Sequence, residues 1–326
     1  MKRFIKKVAV FGLILSVLLG SLNLAYVNTE YYKNLNDMRK YKSVPEHIDV
    51  ANFGASHSAC AFNWYGYTDF DGMNMALGSQ TVVYDEALFD YYFDHLDENS
   101  TVILEVMFKS LYEQEPDEPP YGSSITRYYQ VLSKDYIRQW RLEDALQYQY
   151  IPVLGNRQNA VRRIWDELPF NHVVQESELQ TQQKTEDGLT GEPTQVLTGW
   201  EEEDMIKEGN RRAGVFMELS GDQEHGEQYD AFIRIIEKCK ANDIDVILVT
   251  APTLPCFYTG FSPEFMDKFY ADMKEICEKY DVMYINYTGD GRFLKDYRLY
   301  SDTDHLNGYG SRFFTEKFLE DNRDVL

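Results

Sequence analysis

Apolar and polar positions along this chain fall into three regimes. The first is a charge-free stretch, Val8 to Val27, preceded by Lys2, Arg3, Lys6 and Lys7. From Ile48 onward the spacing switches between periods of two and of three to four. Ile48-Asp49-Val50-Ala51-Asn52-Phe53 alternates as a half-buried strand does, and Gly54 then permits a tight turn. A second short strand is predicted over 74–77, a helix over 84–96 with Leu88, Tyr91, Tyr92 and Leu96 near one face, and a third strand over 101–107. Further on, Tyr229, Phe232, Ile236 and Cys239 recur at helical spacing before Val246-Ile247-Leu248-Val249. Phe265, Phe269, Met273 and Ile276 do the same before Val282-Met283-Tyr284-Ile285, and a last helix is predicted over 309–321. Strands alternating with helices predict an α/β fold: a doubly wound parallel sheet of about five strands, covered on both faces.

The third regime, from about residue 112 to 225, breaks this pattern and reads as a large insertion. It opens with the acidic, Pro-rich Glu113 to Pro120, continues with helices predicted over 133–146 and 156–168, and ends in a polar stretch over 175–198. Trp140, Trp165 and Trp200 could stack on sugar faces, but the simpler expectation is that they pack a small core of the insertion itself. Glu201-Glu202-Glu203-Asp204 reads as a solvated face. A lid or a partner-docking surface is the role expected of such an insertion.

The opening stretch is long enough to cross the ~30 Å hydrocarbon core of a bilayer as a helix. Its positive flank predicts that residues 1–27 form an anchor with the rest of the chain outside, a single-pass membrane protein with an extracytoplasmic domain over 28–326. A cleaved signal peptide would have a shorter apolar core and an A-x-A-like site near its end. Beyond the anchor, 28 Lys and Arg face 54 Asp and Glu, about −26 by formal count. That balance argues against nucleic acid and against docking on anionic lipid heads. Cys60, Cys239, Cys256 and Cys277 have neither C-x-x-C nor metal-ligand spacing, and Cys239 and Cys277 sit in helical apolar stripes as buried thiols would. Four cysteines in an exported chain could also form bridges. His47, His95, His172 and His225 form no cluster in sequence, and neither a metal site nor a cofactor is expected.

Two short segments carry the candidate chemistry. Gly54-Ala55-Ser56-His57-Ser58 follows the first strand, so Ser56 lies at a strand's carboxyl end, where open α/β sheets place their crevices. The N–H groups just after such a turn, His57 among them, can face a developing oxyanion. Near the other end, Asp302-Thr303-Asp304-His305 spaces a carboxylate three residues before an imidazole, so one turn can hold the pair together while the other ring nitrogen points outward. Nucleophile, base and orienting acid are then Ser56, His305 and Asp302. Singly, G-x-S and D-x-x-H are common turn sequences; their joint occurrence after the first strand and before the last helix gives them weight. Asp304 is a poorer orienting acid, because a carboxylate adjacent to the histidine in sequence seldom reaches its ring. By the same logic the His57 ring is expected to point away from Ser56, and Ser58 to be a helix cap or first-turn residue.

With these residues the chain resembles the SGNH/GDSL hydrolase superfamily, Ser56 matching the first-block serine and Asp302 and His305 the closing D-x-x-H. The longer string Asp302 to Gly310, D-x-x-H-L-N-x-x-G, is similar to the branch that holds cell-surface polymer O-acyltransferases, the alginate acetylation proteins and the lipoteichoic-acid D-alanylation protein. The resemblance covers residues from about 46 to 111 and from about 226 to 322. It implies Gly78 as the second-block glycine and a second oxyanion N–H beside that of His57. Ala55 stands where the motif's Asp usually sits, and the third strand runs into Phe108-Lys109-Ser110 without the third-block Asn, leaving one side-chain oxyanion donor unidentified. The activity implied is O-acylation of a cell-surface polymer or glycan through an acyl-serine, with a multispanning membrane acyltransferase as acyl donor. The alternatives are an extracytoplasmic carbohydrate esterase and a catalytically silent polymer-binding protein.

Overall fold

The computed structural model describes residues 1–35, 38–67, 69–113, 125–155, 157–168, 200–294 and 296–325. The chain divides into two compact units, Met1–Ser43 with Ser123–Gln182, and Val44–Gly122 with Gln183–Leu326.

The second unit is built on a five-stranded sheet in the order β2-β1-β3-β4-β5. The strands are β1 (Val50–Phe53), β2 (Gly72–Asn74), β3 (Thr101–Glu105), β4 (Asp245–Thr250) and β5 (Met283–Asn286), and every pairing is parallel. β1, β3 and all but the first residue of β4 are buried, as in a sheet covered on both faces, and β1 is therefore buried throughout rather than half-buried as its alternation predicted. Helices Val82–Tyr91, Glu227–Ala241, Pro263–Tyr280 and Gly308–Asp321 connect and cover the strands. From β1 the chain goes outward to β2 and then crosses back to β3 on the other side. The strand order therefore reverses between β1 and β3, and the carboxyl ends of these two strands border the crevice that a doubly wound sheet offers to ligands.

Several sequence expectations shift. β2 lies earlier than 74–77, because Val50 to Asn52 pair with Gly72 to Asn74, while Met75, Ala76 and Leu77 are buried beyond the end of the ladder. The helix predicted over 133–146 is broken into a 3-10 turn at Lys134–Tyr136, a helical turn at Leu142–Asp144 and a π-helical turn at Ala145–Tyr150. A 19-residue helix, Glu202–Ser220, occupies a region for which periodicity predicted none. Its four leading acids, Glu201 to Asp204, are solvent-exposed, as their charge implied. Trp165 and Trp200 are exposed rather than packed. The Pro-rich stretch after Glu113 and the polar stretch 175–198 lie outside the described residues.

In the first unit, Lys2–Val27 forms one helix of 26 residues with mean hydropathy 2.2 over its most apolar window. At 1.5 Å per residue it is about 39 Å long, compatible with a single-pass anchor. The chain beyond it is tied by Glu167, whose carboxylate accepts from the Glu30 and Tyr31 amides at 2.7 and 3.2 Å.

Candidate active site

The turn after β1 is shaped by its contacts. Gly54 has φ +135°, and a Cβ there would lie 2.9 Å from the Cβ atoms of both Glu105 and Ser58, so only glycine fits. Its amide donates to Asp85 Oδ1 at 2.8 Å and its carbonyl accepts from Leu77 N at 3.3 Å. After extended Ala55 the chain enters the short helix Ser56–Ala61. Asn52, on β1, donates to Ser58 Oγ at 2.9 Å and to Asn74 Oδ1 at 3.0 Å, and accepts from Trp64 Nε1 at 2.8 Å. Asn74 in turn donates to the Phe62 and Ala59 carbonyls at 2.8 and 3.2 Å. This amide clamp fixes the helix that carries Ser56, and Ser58 is its first-turn residue, as expected.

The second segment is a closed loop. Ser301 N donates to His305 O at 3.0 Å, Leu254 N to Thr303 O at 3.1 Å, and Asn307 caps the last helix by accepting from Gly310 N at 2.9 Å. Asp302 Oδ1 accepts from the amides of Asp304 and His305 at 3.0 and 2.8 Å, which holds the carboxylate over its own turn. The His305 ring joins the two segments: Nδ1 lies 3.0 and 2.9 Å from the Asp302 carboxylate oxygens, and Nε2 lies 2.8 Å from Ser56 Oγ. Burial alone would raise the Asp302 pKa, but the hydrogen bond and charge of His305 hold it below the usual carboxylate value. Ser56, His305 and Asp302, 249 residues apart at the widest, thus form one hydrogen-bonded chain at the carboxyl end of β1.

A second histidine–carboxylate pair stands behind the first. His57 Nε2 lies 3.0 Å from Asp304 Oδ2, and the His57 and His305 rings stack with centroids 4.4 Å apart. Asp304 is 3.8 Å from His305 Nδ1, more distant than Asp302, and it is bound by Arg212, whose Nε and Nη2 reach its two oxygens at 3.0 and 2.5 Å. Arg212 comes from the helix Glu202–Ser220. Gly209 lets that helix lie on the Cys256 backbone, where a Cβ would meet the carbonyl oxygen at 2.4 Å, and Phe216 packs edge-on to Phe257 at 5.2 Å. Burial would raise the Asp304 pKa, but the hydrogen bonds of His57 and Arg212, with the charges of His57 and His305, hold it far below the ordinary carboxylate value. Burial, with the charge of His305, lowers His57 to about 4, so its ring is neutral at pH 7. Arg212 and the His57 ring are the site residues that sequence reasoning missed.

Beneath the nucleophile turn lie two buried acids. Asp85 accepts from Gly54 N and from Gln80 Nε2 at 2.8 and 2.6 Å, whereas neither carboxylate oxygen of Glu105 has a hydrogen-bond partner. Burial pushes Asp85 up to about 7, and burial with the Asp85 charge pushes Glu105 up to about 8. Glu105 is therefore largely protonated at neutral pH.

Of the remaining expectations, Gly78 lies in an exposed turn with open space where a Cβ would go. His57, Asp304 and His305 offer ligand atoms within 4.8 Å of one another, a spacing that could suit a metal, but here Arg212 takes Asp304 and Ser56 takes His305 Nε2. His47, His95 and His225 pair with Asp49, the Pro45 carbonyl and Asp272 respectively, and His172 lies outside the described residues. All four cysteines are free thiols, with Cys239 buried.

The model of the DltD protein family matches residues 89–310, about two-thirds of the chain. The chain belongs to the DltD protein family. The stretch matched to DltD contains Arg212, Asp302, Asp304 and His305, and begins after Ser56, His57 and Gly78. No curated protein matches it by sequence. Among solved structures, a Bacteroides fragilis protein described provisionally as an acylhydrolase is similar at 12% identity and a TM-score of 0.37, covering 89% of this chain and 98% of its own. DltD membership together with the parallel five-stranded sheet makes the chain an SGNH-like hydrolase superfamily member, and supports acyl-transfer or hydrolase chemistry of the SGNH type.

Proposed function

We propose that this protein is a membrane-anchored serine acyltransferase that O-acylates a cell-surface polymer on the outer face of the membrane. The observation that carries this reading is the Ser56–His305–Asp302 chain, with 2.8 Å between Ser56 Oγ and His305 Nε2. In it, Ser56 Oγ attacks the carbonyl of an acyl donor while His305 Nε2 takes its proton, and Asp302 fixes the ring tautomer and stabilises the imidazolium. The tetrahedral oxyanion collapses to an acyl-Ser56 as the donor's leaving group takes the proton from His305. A polymer hydroxyl, deprotonated by His305, then accepts the acyl group and frees Ser56. The N–H groups of His57 and Gly78 are the oxyanion donors in this reading. The bond from Leu77 N to Gly54 O supports it by bringing the Gly78 turn beside the nucleophile turn.

Residues 1–27 are the anchor and 28–326 the extracytoplasmic part, with about 112–225 inserted in the SGNH-like domain. The similarity to the lipoteichoic-acid D-alanylation protein favours a polymer acceptor and a membrane acyltransferase as the source of the acyl group. Water in place of the polymer would give an esterase by the same steps.

The test is intact-mass measurement of the full chain in detergent after exposure to an activated acetyl ester, with Ser56→Ala in parallel. A one-acetyl mass gain, or release of acetate, that vanishes in Ser56→Ala is expected, since losing a catalytic serine costs roughly a million-fold in rate. Equal adduct and equal hydrolysis in the two proteins would remove Ser56 from the mechanism.

A further inference from the structure

The Ser56–His305–Asp302 chain leaves the cluster directly behind it without a role. The His57 side chain is 3% exposed and that of Asp304 is fully buried. The His57 ring lies in a pile of rings: it stacks on His305 with 4.4 Å between centroids and 19° between planes and on Phe257 at 6.2 Å and 24°, and it meets Phe216 edge-on at 5.8 Å. Its Nε2 is 3.0 Å from Asp304 Oδ2, and the same oxygen is 3.8 Å from His305 Nδ1. Asp304 is therefore shared by both rings, and Arg212 covers it with two nitrogens.

Two imidazoles this close repel strongly when both are charged, so the pair takes its first proton on one ring only. Which ring takes it decides the chemistry. A proton on His57 would set a cation 4.4 Å from the imidazolium that His305 must become. The geometry keeps it off His57 in three ways. An ionised carboxylate only accepts, so the neutral ring carries its hydrogen on Nε2 and donates it to Asp304. Arg212 offsets the charge that would otherwise draw a second proton onto His57. Burial penalises a cation on His57 more than on His305, which is 14% exposed and has Asp302 at 2.9 Å from its Nδ1. Other groups near His57 leave that sign unchanged. Burial pushes the Cys60 thiol up to about 11 and raises that of Cys256, beside Phe257, so both are uncharged. Glu208 is paired with Arg211, and Lys109, paired with Glu113, adds positive charge over the Phe216 ring.

We propose that Arg212, Asp304 and the His57 ring are positioning residues: the ion pair holds His57 as an uncharged Nε2–H platform against His305, so that His305 is the ring of the stacked pair that receives the Ser56 proton. The final step rests on the acyl-transfer reading given above; the charge state of His57 does not. Burial with the His305 charge, lowering His57 to about 4, agrees with the geometry.

The test is nitrogen NMR of the histidine-labelled full chain in detergent, with His57 assigned through His57→Gln, alongside the pH dependence of acyl-adduct formation. Between pH 5 and 8, wild-type His57 is expected to carry one N–H, on Nε2. In Arg212→Gln it should gain a second proton with a midpoint inside that window, an upward shift of roughly one to three pH units, and the acid limb of the acylation rate should rise by about one unit or more. Arg212→Lys, which keeps the charge, should hold His57 uncharged, and the exposed neighbour Arg211→Gln should move neither readout. An ion pair that merely supported the fold would lower Tm without moving either midpoint. A doubly protonated His57 or an Nδ1–H tautomer in the wild type at pH 7 would overturn the proposal, and that spectrum decides the matter if Arg212→Gln fails to fold. So would an Arg212→Gln protein whose His57 stays uncharged throughout the window. A wild type that forms no Ser56 adduct counts against the function proposed above, while the spectra still decide the state of His57.

Discussion

Replacing Gly54 with alanine probes the link between the sheet and the nucleophile most directly. Gly54 sits at φ +135°, a conformation that costs an L-residue on the order of 1–2 kcal/mol. The added methyl would also lie 2.9 Å from Glu105 Cβ on the neighbouring strand and from Ser58 Cβ in the helix that carries Ser56. Neither atom is the far end of a flexible side chain, so backbone must move, and overpacking of this kind costs about 1–3 kcal/mol. Together these give a loss of about 2–5 kcal/mol, or a fall in Tm of roughly 5–15 °C for a domain of this size. Two residues further on, Ser56 Oγ must stay near its 2.8 Å from His305 Nε2, and a displacement of about 1 Å is enough to cost on the order of 100-fold in rate. Thermal unfolding followed by circular dichroism, with acyl-adduct formation timed by intact mass, reads both effects. A Gly54→Ala protein with unchanged Tm and unchanged acylation rate would refute the claim that this turn positions the serine.

Asp302→Asn should slow acylation by roughly 10⁴-fold through loss of the correct tautomer. If the rate instead holds up, Asp304, 3.8 Å from the same ring nitrogen, is the orienting acid. Arg212→Met leaves the fully buried Asp304 carboxylate without its cation, and urea unfolding is expected to show a loss of about 3 kcal/mol; an unchanged midpoint would mean that His57 alone suffices. The buried acids set the alkaline side of stability. Glu105 is raised to about 8 in the folded state, so its contribution is complete below the unfolded value near 4.5 and is lost as pH rises through about 8, at up to about 1.4 kcal/mol per pH unit. Denaturant midpoints measured from pH 5 to 9 should therefore fall less steeply for Glu105→Gln than for the wild type, and parallel curves would count against a protonated Glu105. His57 acts on the other side: being lowered to about 4, it withdraws stability as pH drops from about 6.5 toward 4.

The sheet was legible because its signals are local. Apolar runs such as Val246 to Val249, buried in β4, and the helical spacing of Phe265, Phe269 and Met273 each lie within one element, and short-range periodicity reports them directly. The same holds for Gly54 and for the D-x-x-H turn, whose carboxylate and imidazole meet through hydrogen bonds spanning three residues. Boundaries were less legible. β2 is displaced because pairing with β1, rather than its own composition, decides which residues join the ladder. The helix Glu202–Ser220 escaped notice because its buried residues, Met205, Gly209, Ala213, Phe216 and Ser220, include too few large apolar side chains to show a stripe.

From sequence alone came the alternation of strands and helices, the apolar opening helix, and the candidacy of Ser56, Asp302 and His305, all set by residues near one another in the chain. Tertiary structure alone decided the surroundings of that site. Arg212 reaches Asp304 across 92 residues because Gly209 lets one helix settle on the backbone of another, and the His57 ring turns inward because that ion pair gives it a partner. Glu105 lies under Gly54 because β1 and β3 are neighbours in the sheet. Such contacts depend on where elements pack, and packing is fixed by the sum of many weak interactions along the whole chain, which no short stretch of sequence encodes.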